Sequence, residues 1–332
     1  YTTTLSNLTN LSNKTRYSYD ALGRVTSVLN PDGTTKSTTF NKWEINDYDE
    51  NNNKHTYLLD AYDRIRAVTE YNRDFYLLDN ETYNTTYSYN GADGLAGIRD
   101  TYGNHFNFTY DSLGRKIKLK DPDLGTWLYS YDSVGNLVNQ IDNKGNGVKV
   151  SYDALNRILQ KNTSSQTFNF GYDKQYQGTL SNISYDNLTF TYNYDDRLRN
   201  IKEILKIRKF SFETGNTYDS MSRILETRLP DGDDFDYYYA SNGKLAKIRG
   251  YINQTKYNPL GNPLNRTYLN SRITAFDYMP TNLRLRQIKT GTIQQLNYTY
   301  DNVGNVKNIN DSINNRSYVM DYDKLDRLTN VT

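Results

Sequence analysis

The chain has 332 residues with 40 basic and 38 acidic side chains, a formal charge of +2 and no cysteine. Charge this evenly mixed gives no electrostatic reason to expect nucleic acid or an anionic membrane as a partner, and the missing thiols exclude disulfide frameworks, zinc ribbons and cysteine catalysis. Tyr outnumbers Phe and Trp, 33 against 11 and 2, at a mean hydropathy of −0.87, which suits half-wet surfaces where a ring packs while its hydroxyl stays hydrogen-bonded. The length is enough for a sizeable buried core. No apolar run approaches the roughly 20 residues that span a bilayer. The sequence opens at Tyr1 without a start Met or signal peptide and stops within a repeat, and so reads as a piece of a larger protein.

The first predicted element is a strand carrying Tyr17 and Tyr19, followed by a turn over Asp20-Ala21-Leu22-Gly23 and a return strand from Arg24-Val25. A second turn, Asn30-Pro31-Asp32-Gly33, comes about ten residues later. Residues 40–76 hold degenerate copies only: Trp43 and Tyr48-Asp49 hint at the pattern, and Leu59-Asp60 stands before Arg64-Ile65. Strict copies return as Phe108-Thr109-Tyr110-Asp111-Ser112-Leu113-Gly114-Arg115, as Tyr129-Ser130-Tyr131-Asp132-Ser133-Val134-Gly135-Asn136 and as Val150-Ser151-Tyr152-Asp153-Ala154-Leu155-Asn156-Arg157. Looser copies centre on Tyr89, Tyr172, Tyr194, Tyr218, Tyr239, Tyr257, Tyr278, Tyr300 and Tyr322. From Tyr110 onward the second aromatic recurs at intervals of 21, 21, 20, 22, 24, 21, 18, 21, 22 and 22 residues. A period sustained in this way identifies a repeat architecture.

Each copy reads as a β-hairpin. Aromatics at i and i+2 share one strand face and are expected to stack on the same pair in neighbouring copies. The Asp that follows opens a turn by accepting backbone N–H groups about two residues on. The slot four residues after the Tyr holds Gly23, Gly114, Gly135 and Gly304, or Asn156 and Asp326, the residue types that best tolerate a left-handed backbone, so positive φ is expected there. Gly or Asn every ten or so residues leaves little room for helix, and Leu198 to Lys209 is the best helical window. The most basic stretch, Arg197 to Lys209, is flanked by Asp195, Asp196 and Glu203 and reads as a solvated strand face.

Tyr-x-Tyr-Asp-x-x-Gly-Arg/Asn-Leu/Val resembles the signature of the Rhs/YD-repeat superfamily, which includes Rhs proteins, wall-associated proteins, the toxin-carrying component of Tc complexes and teneurins. The residues that carry the resemblance are Tyr19, Asp20, Gly23 and Arg24; Tyr110, Asp111, Gly114 and Arg115; Tyr131, Asp132 and Gly135; Tyr152, Asp153 and Arg157; and Tyr300, Asp301 and Gly304. Lys120 to Asp132 is similar to a between-repeat segment of that family. The resemblance implies an all-β fold of tandem hairpins joined into one long sheet that spirals into a hollow shell or tube, here as a single continuous array over residues 1–332. Members that release a cargo end the shell with an Asp-Pro-x-Gly self-cleavage element. Asp121-Pro122-Asp123-Leu124-Gly125 is only superficially like it, lies between good repeats, and is expected to be a turn.

Catalytic chemistry finds no inventory. His55 and His105 are the only histidines, and neither stands in a nucleophile, base and carboxylate pattern. Two acidic clusters, Asp231, Asp233, Asp234 and Asp236, and Asp47, Asp49 and Glu50 with Asn51 to Asn53, follow no calcium-loop spacing and read as solvated turn acids. No cofactor and no metal are expected. The function expected is therefore a non-enzymatic structural wall of an extracellular or cell-surface protein, enclosing cargo or toxin or building a surface structure. The alternative is an adhesive or filament-forming glycosylated module. Partners expected are the rest of the polypeptide or neighbouring copies through sheet edges, with cargo and surface glycans as further candidates, and neither nucleic acid nor membrane insertion. Fifteen Asn-x-Ser/Thr triplets occur, against about 7 expected from composition. Asn162 and Asn310, placed in between-repeat turns, lead the glycosylation candidates, followed by Asn7, Asn80, Asn253 and Asn315. Asn107 and Asn297 are expected to face away from the aromatic pair that follows each.

Overall fold

The computed structural model describes residues 14–73 and 80–332, so Asn7 and the side chain of Asn80 lie outside the described residues. Everything regular among them is strand: β1 (Arg16–Tyr19) through β30 (Leu328–Val331), with no helix. The chain forms two compact units, one of Tyr1–Ser88, Ile98–Asn104 and Lys256–Thr332, the other of Tyr89–Gly97 and His105–Thr255.

Within the second unit the construction is plain in β11 (Gly125–Tyr131), β12 (Leu137–Ile141), β13 (Gly147–Tyr152), β14 (Ile158–Asn162) and β15 (Thr167–Tyr172). Each strand pairs antiparallel with the one before and the one after it in the chain. Tyr129 stands opposite Gln140, which stands opposite Val148; Val150 stands opposite Lys161, which stands opposite Phe168. Alternation therefore puts Tyr129, Val148, Val150, Phe168 and Phe170 on one face, and Ser130, Asn139, Lys149, Ser151, Gln160 and Asn169 on the other. The polar face is tied across strands by side-chain amides and hydroxyls: Gln160 Nε2 donates to Asn169 Oδ1 at 2.9 Å. The first unit repeats the device, with Thr56 Oγ1 donating to Asn46 Oδ1 at 2.7 Å.

Most return strands carry one extra residue, although β4 (Glu44–Tyr48) pairs with β3 (Thr35–Asn41) in unbroken register. Between Ser130 and Tyr131 the register shifts, so that Tyr131 faces Leu137 while Ser130 faces Asn139. The same shift recurs at Ser151/Tyr152, Gly171/Tyr172, Thr217/Tyr218 and Thr299/Tyr300. A bulge of this kind bends its strand and frees a carbonyl from the ladder.

Several expectations need correction. Despite the length, no large hydrophobic side chain among those described is buried; the buried polar residues are Asn46, Asn53, Thr179, Ser181, Thr255 and Thr274. A single layer of sheet has no second layer to close on its apolar face, so its rings and aliphatic chains stay half-exposed. The window from Leu198 to Lys209 is not helix but β18 (Asn200–Ile207), paired with β17 (Leu188–Tyr194) and β19 (Phe210–Tyr218). Asn162 and Asn310 are strand residues rather than turn residues: Asn162 closes β14 opposite Thr167, and Asn310 lies in β28 (Val306–Asp311) opposite Asn297. Residues 40–76, degenerate in sequence, contribute regular ladders where described, from β3 (Thr35–Asn41) through β4 (Glu44–Tyr48) and β5 (Lys54–Leu59) to β6 (Ile65–Arg73). Asp121 to Gly125 forms the expected tight turn, with Asp121 Oδ1 accepting the N–H groups of Asp123 and Leu124.

The turn slot has the predicted backbone. φ is 79° at Gly23, 77° at Gly114, 99° at Gly135, 117° at Gly304, 60° at Asn156 and 59° at Asp326. A Cβ built on Gly135 meets nothing within 4 Å, so Gly135→Val strains only the backbone and should destabilise by about 1 to 3 kcal/mol. Leu198 occupies the same slot at φ 59°, and Leu198→Gly should relieve strain of about 1 kcal/mol. Denaturant melts of the two variants should move in opposite directions.

Candidate functional site

The repeated hairpin head is the most conspicuous chemical feature of the molecule. Asp153 Oδ1 accepts the N–H groups of Leu155 at 2.8 Å and Arg157 at 2.9 Å, while Oδ2 takes the Arg157 guanidinium at 2.7 Å. The Asn156 N–H donates to the Asp153 carbonyl at 3.0 Å, and the Asp153 N–H to the Arg157 carbonyl at 2.9 Å. One side chain thus organises a five-residue turn, because a carboxylate supplies two oxygens with about four acceptor directions. Asp20, Asp60, Asp111, Asp195, Asp219 and Asp323 repeat the set with Arg. Asp132 and Asp301 repeat it with Asn136 and Asn305.

That fourth residue also reaches forward into the next copy. Arg115 Nη1 donates to the Asp132 carbonyl at 3.0 Å, and Arg199 Nη1 to the Asp219 carbonyl at 2.8 Å. Arg157 instead grips the Asp173 carboxylate with both Nη atoms, at 2.9 and 2.7 Å. Where Asn replaces Arg, Asn136 Nδ2 reaches Asn156 Oδ1 at 2.8 Å. Several of these guanidinium groups lie over the next aromatic: Arg157 is 4.4 Å from the Tyr172 ring centroid, Arg223 is 4.3 Å from Tyr239, and Arg24 is 4.0 Å from Phe40. The ring below it returns the contact, since its hydroxyl donates to a backbone carbonyl of the preceding copy: Tyr131 to Lys116, Tyr152 to Leu137, Tyr194 to Leu180 and Tyr300 to Leu285, all at 2.8 to 2.9 Å. The acceptor is the first residue of the return strand, beside the bulge. Copies are therefore joined by Arg over ring and hydroxyl to carbonyl rather than by the expected stacking of Tyr on Tyr. The ring pairs described, Tyr83 with Tyr102, Phe168 with Tyr185 and Phe235 with Tyr251, link none of the second tyrosines of successive copies.

Turns that connect an odd-numbered strand to the next even one are the Asp turns; those from even to odd are linking turns, at the opposite strand ends. Inside the first unit, late Asp turns lie against two early linking turns and against the end of β6. Asn282 Nδ2 donates to Asp32 Oδ2 at 3.0 Å, Asn51 Nδ2 to Asp301 Oδ2 at 3.1 Å, and the Lys324 N–H to Asn72 Oδ1 at 3.1 Å. The partners are 250 to 252 residues apart. Arg327 lies 5.1 Å from the Tyr83 ring. A cleft beside this seam is lined by Asn51, Asn53, Asp301, Lys307, Tyr322, Asp323 and Lys324.

Electrostatics follow the geometry. The backbone N–H of the Arg four residues on holds Asp20, Asp111, Asp153 and Asp219 below the usual carboxylate range, with its guanidinium adding; at Asp60 and Asp195 the guanidinium is the larger cause. At Asp132 burial pushes upward and the hydrogen bonds led by Asn136 outweigh it. Asp326 is raised, by burial and by the nearby Asp49, Asp301 and Asp323. Burial likewise raises the hydroxyls of Tyr152, Tyr194 and Tyr300.

The remaining candidates stay dispersed. His55 lies 3.9 Å from Glu70 on the adjacent strand, and His105 begins β9 (His105–Tyr110). Asp234 and Asp236 pair with Arg228 and Arg249, Asp47 accepts from Thr38, and Asp49 caps its own turn. Among the described residues no three acidic or histidine side chains converge as metal ligands. The sequence reading missed the forward bridge of the Arg or Asn. Its invariable spacing of four from the Asp was the available signal.

Residues 7–35 match the family model described as RHS Repeat. No curated protein matches the sequence. The fold is similar to the solved structure of TcdB2-TccC3-Cdc42, with a TM-score of 0.87 at 18% identity over 97% of this chain and 20% of that one. TcdB2-TccC3 gives 0.86 at 19% identity over 96% and 20%. The Photorhabdus luminescens Tc holotoxin pore with a TccC3 mutation gives 0.85 at 18% identity over 96% and 19%. The chain thus spans about a fifth of the length of the solved chains it matches. The tandem-hairpin all-β fold is shared with them, and the likeness to the Rhs/YD-repeat superfamily stands on the repeat match and the fold together.

Each turn Asp with a lowered pKa binds its proton more weakly folded than unfolded. Stability from these turns is therefore complete above about pH 4 to 5 and lost as pH falls through their depressed values, below about 4. Urea melts from pH 6 to pH 2 should show that loss, and Asp153→Asn should reduce it by that one turn's share, because the neutral amide keeps the cap, as Asn90 does for Ala92 and Gly94, but has no proton to lose. Tyr152→Phe removes one hydroxyl-to-carbonyl bond and should cost about 0.5 to 1.5 kcal/mol in the same assay.

Proposed function

We propose, from the Rhs/YD-repeat fold this chain carries, that it is a stretch of structural wall: one continuous array over residues 1–332 of a secreted or cell-surface protein, wound so that successive turns of the sheet enclose a space for cargo. The observation that carries this reading is the seam, where segments 250 residues apart meet turn to turn. A sheet in which most copies carry the same bulge, and which meets an earlier part of itself, has the means to bound a volume. The repeat-family match and the fold shared with TcdB2-TccC3 support a scaffold role; neither indicates an enzyme family. The principal partner in this reading is the rest of the polypeptide, and the occupant is a cargo chain. Imaging the full-length native protein tests it: closed single-chain capsules are expected, and solid or extended particles without a lumen would overturn it.

The sequons belong to the same reading, since an outer wall is open to glycan transfer. Asn253, Asn310 and Asn315 are exposed and should carry glycans. Asn162 Nδ2 donates to Gln160 at 2.8 Å, and Asn297 Nδ2 donates to Ser312 at 2.9 Å; these amides, half-buried on the polar face with Asn107, should be poor acceptors. Intact-glycopeptide mass spectrometry of native material should find occupancy at the first three sites and little at Asn162 and Asn297. Absence of glycan at all of them would remove the sequons from the argument for an exterior surface.

A further inference from the structure

The seam brings together carboxylates that elsewhere stand apart. Asn305 Nδ2 donates to Asp301 Oδ2 at 3.0 Å and to Asp326 Oδ1 at 2.8 Å. An amide nitrogen carries two protons, so two negative side chains share one donor group. The second unit builds the same bridge without that conflict: Asn136 Nδ2 donates to Asp132 Oδ2 at 2.9 Å and to the neutral Asn156 Oδ1 at 2.8 Å. Asn156 and Asp326 fill the same turn slot, at φ 60° and 59°, so the backbone does not ask for the charge.

Both crowded turns are seam turns. Asp301 Oδ2 also accepts Asn51 Nδ2 at 3.1 Å from the early turn that Asp49 caps, and the Lys324 N–H, two residues before Asp326, donates to Asn72 Oδ1 at 3.1 Å. Partial burial, and then Asp49 from the early side with Asp301 and Asp323 from the late side, push the Asp326 carboxyl up against the opposing bond from Asn305. Most of the other charged groups nearby are engaged elsewhere. On the same turn Arg327 pairs with Asp323, and Lys324 lines the adjacent cleft with Lys307, which pairs with Asp321. Arg284 donates to the Asp301 and Asn302 carbonyls. Glu50 accepts from Asn30, and Glu81 from Tyr83, the ring that Arg327 faces.

We propose that Asp326, held against Asp301 and across from Asp49, is an acid-responsive latch on the seam: mild acidification draws the early and late turns together, and neutral pH loosens them. A carboxyl raised in the folded state contributes its stability in full below the ordinary value of about 4 and loses it as pH rises through the raised one. The seam acceptors respond in the opposite sense. Burial pushes Asp32 and Asp301 upward, but hydrogen bonds led by Thr34 at Asp32 and by the Gly304 N–H at Asp301 outweigh it and hold both below the usual range. They stay ionised while Asp326 takes up its proton, so the amide bonds from Asn282 and Asn51 persist. Seam contact therefore passes through a maximum as pH falls, before the turns themselves fail. Asp326 keeps an exposed edge, and solvent screens part of the repulsion. The latch acts whether or not the array encloses cargo.

Hydrogen exchange followed by mass spectrometry on the intact chain reads the seam. The linking turn at Asp142, in the second unit, carries the same cap as the one at Asp49, with Asn146 in place of Asn53. The ratio of protection at residues 49–53 to that at 142–146 therefore cancels the intrinsic effect of pH on exchange. From about pH 7 to about pH 4 this ratio should rise roughly threefold to tenfold. Asp326→Asn, which keeps an acceptor for Asn305 as Asn156 does for Asn136, should show the high ratio already at pH 7 and no further rise. Asp63→Asn, at the same slot of an early Asp turn with φ 59°, should behave as the parent does. A parent ratio that is flat or falls, a rise that survives Asp326→Asn, or one that Asp63→Asn abolishes would each overturn the proposal.

Discussion

A carboxylate that satisfies two backbone N–H groups with one oxygen and a side chain four residues on with the other is the constraint from which the rest follows. It fixes the turn, and the turn fixes where the Arg or Asn begins. Held at its base, the long Arg side chain has one productive direction, across the next ring and onto the next turn. The bulge beside it frees the carbonyl that the next Tyr hydroxyl takes. Removing the carboxylate would loosen both the hairpin and its joint to the following one, which explains why Asp or Asn heads almost every odd-to-even connection. Charge assistance strengthens these hydrogen bonds. Their partial exposure makes the number of such joints matter more than the strength of any one.

Among the described residues there is no buried apolar core. Cross-strand pairs and half-covered rings each contribute about 0.2 to 1 kcal/mol, and they do so some two strands at a time along the whole array. Stability is then close to a sum over copies and their nearest-neighbour joints. The richness in Tyr is a consequence: a half-wet ring with a hydroxyl that finds a carbonyl suits this position, whereas Phe would leave the carbonyl beside the bulge without that partner. The polar face solves the same problem differently, with Asn, Gln and Thr bonded to one another across strands.

The hairpin period, the fold and the left-handed turn slot were legible in the sequence because each depends on residues close together: Asp20 and Gly23 state their turn within four positions. Leu198 to Lys209 misled because its slot carries Leu198 rather than Gly, and because Lys202, Glu203, Lys206 and Lys209 give a helix-like charge pattern to what is a long strand. Asn162 and Asn310 were misplaced because the linking turns are tighter than the spacing suggests; Thr163 to Gln166 closes one of them with a 2.8 Å backbone bond. The reach of the Arg bridges and the seam were not legible: the spacing of four marks the Arg, but its partner lies about 16 to 20 positions on, and the seam couples residues 250 apart. No local pattern encodes either distance.

The seam has an implication for how such a chain changes over generations. A joint between successive copies is indifferent to how many copies precede it, so gain or loss of a hairpin is locally cheap. The seam counts. Asn51 meets Asp301 and Asp32 meets Asn282 at the same separation of 250 residues, and deleting one copy of about 21 residues anywhere between would present each early turn with the wrong late one. Insertions and deletions in whole repeats should therefore be tolerated in compensating pairs, one gained and one lost between the same two contacts, so that the tally per circuit behaves as an inherited quantity even where the residues themselves drift.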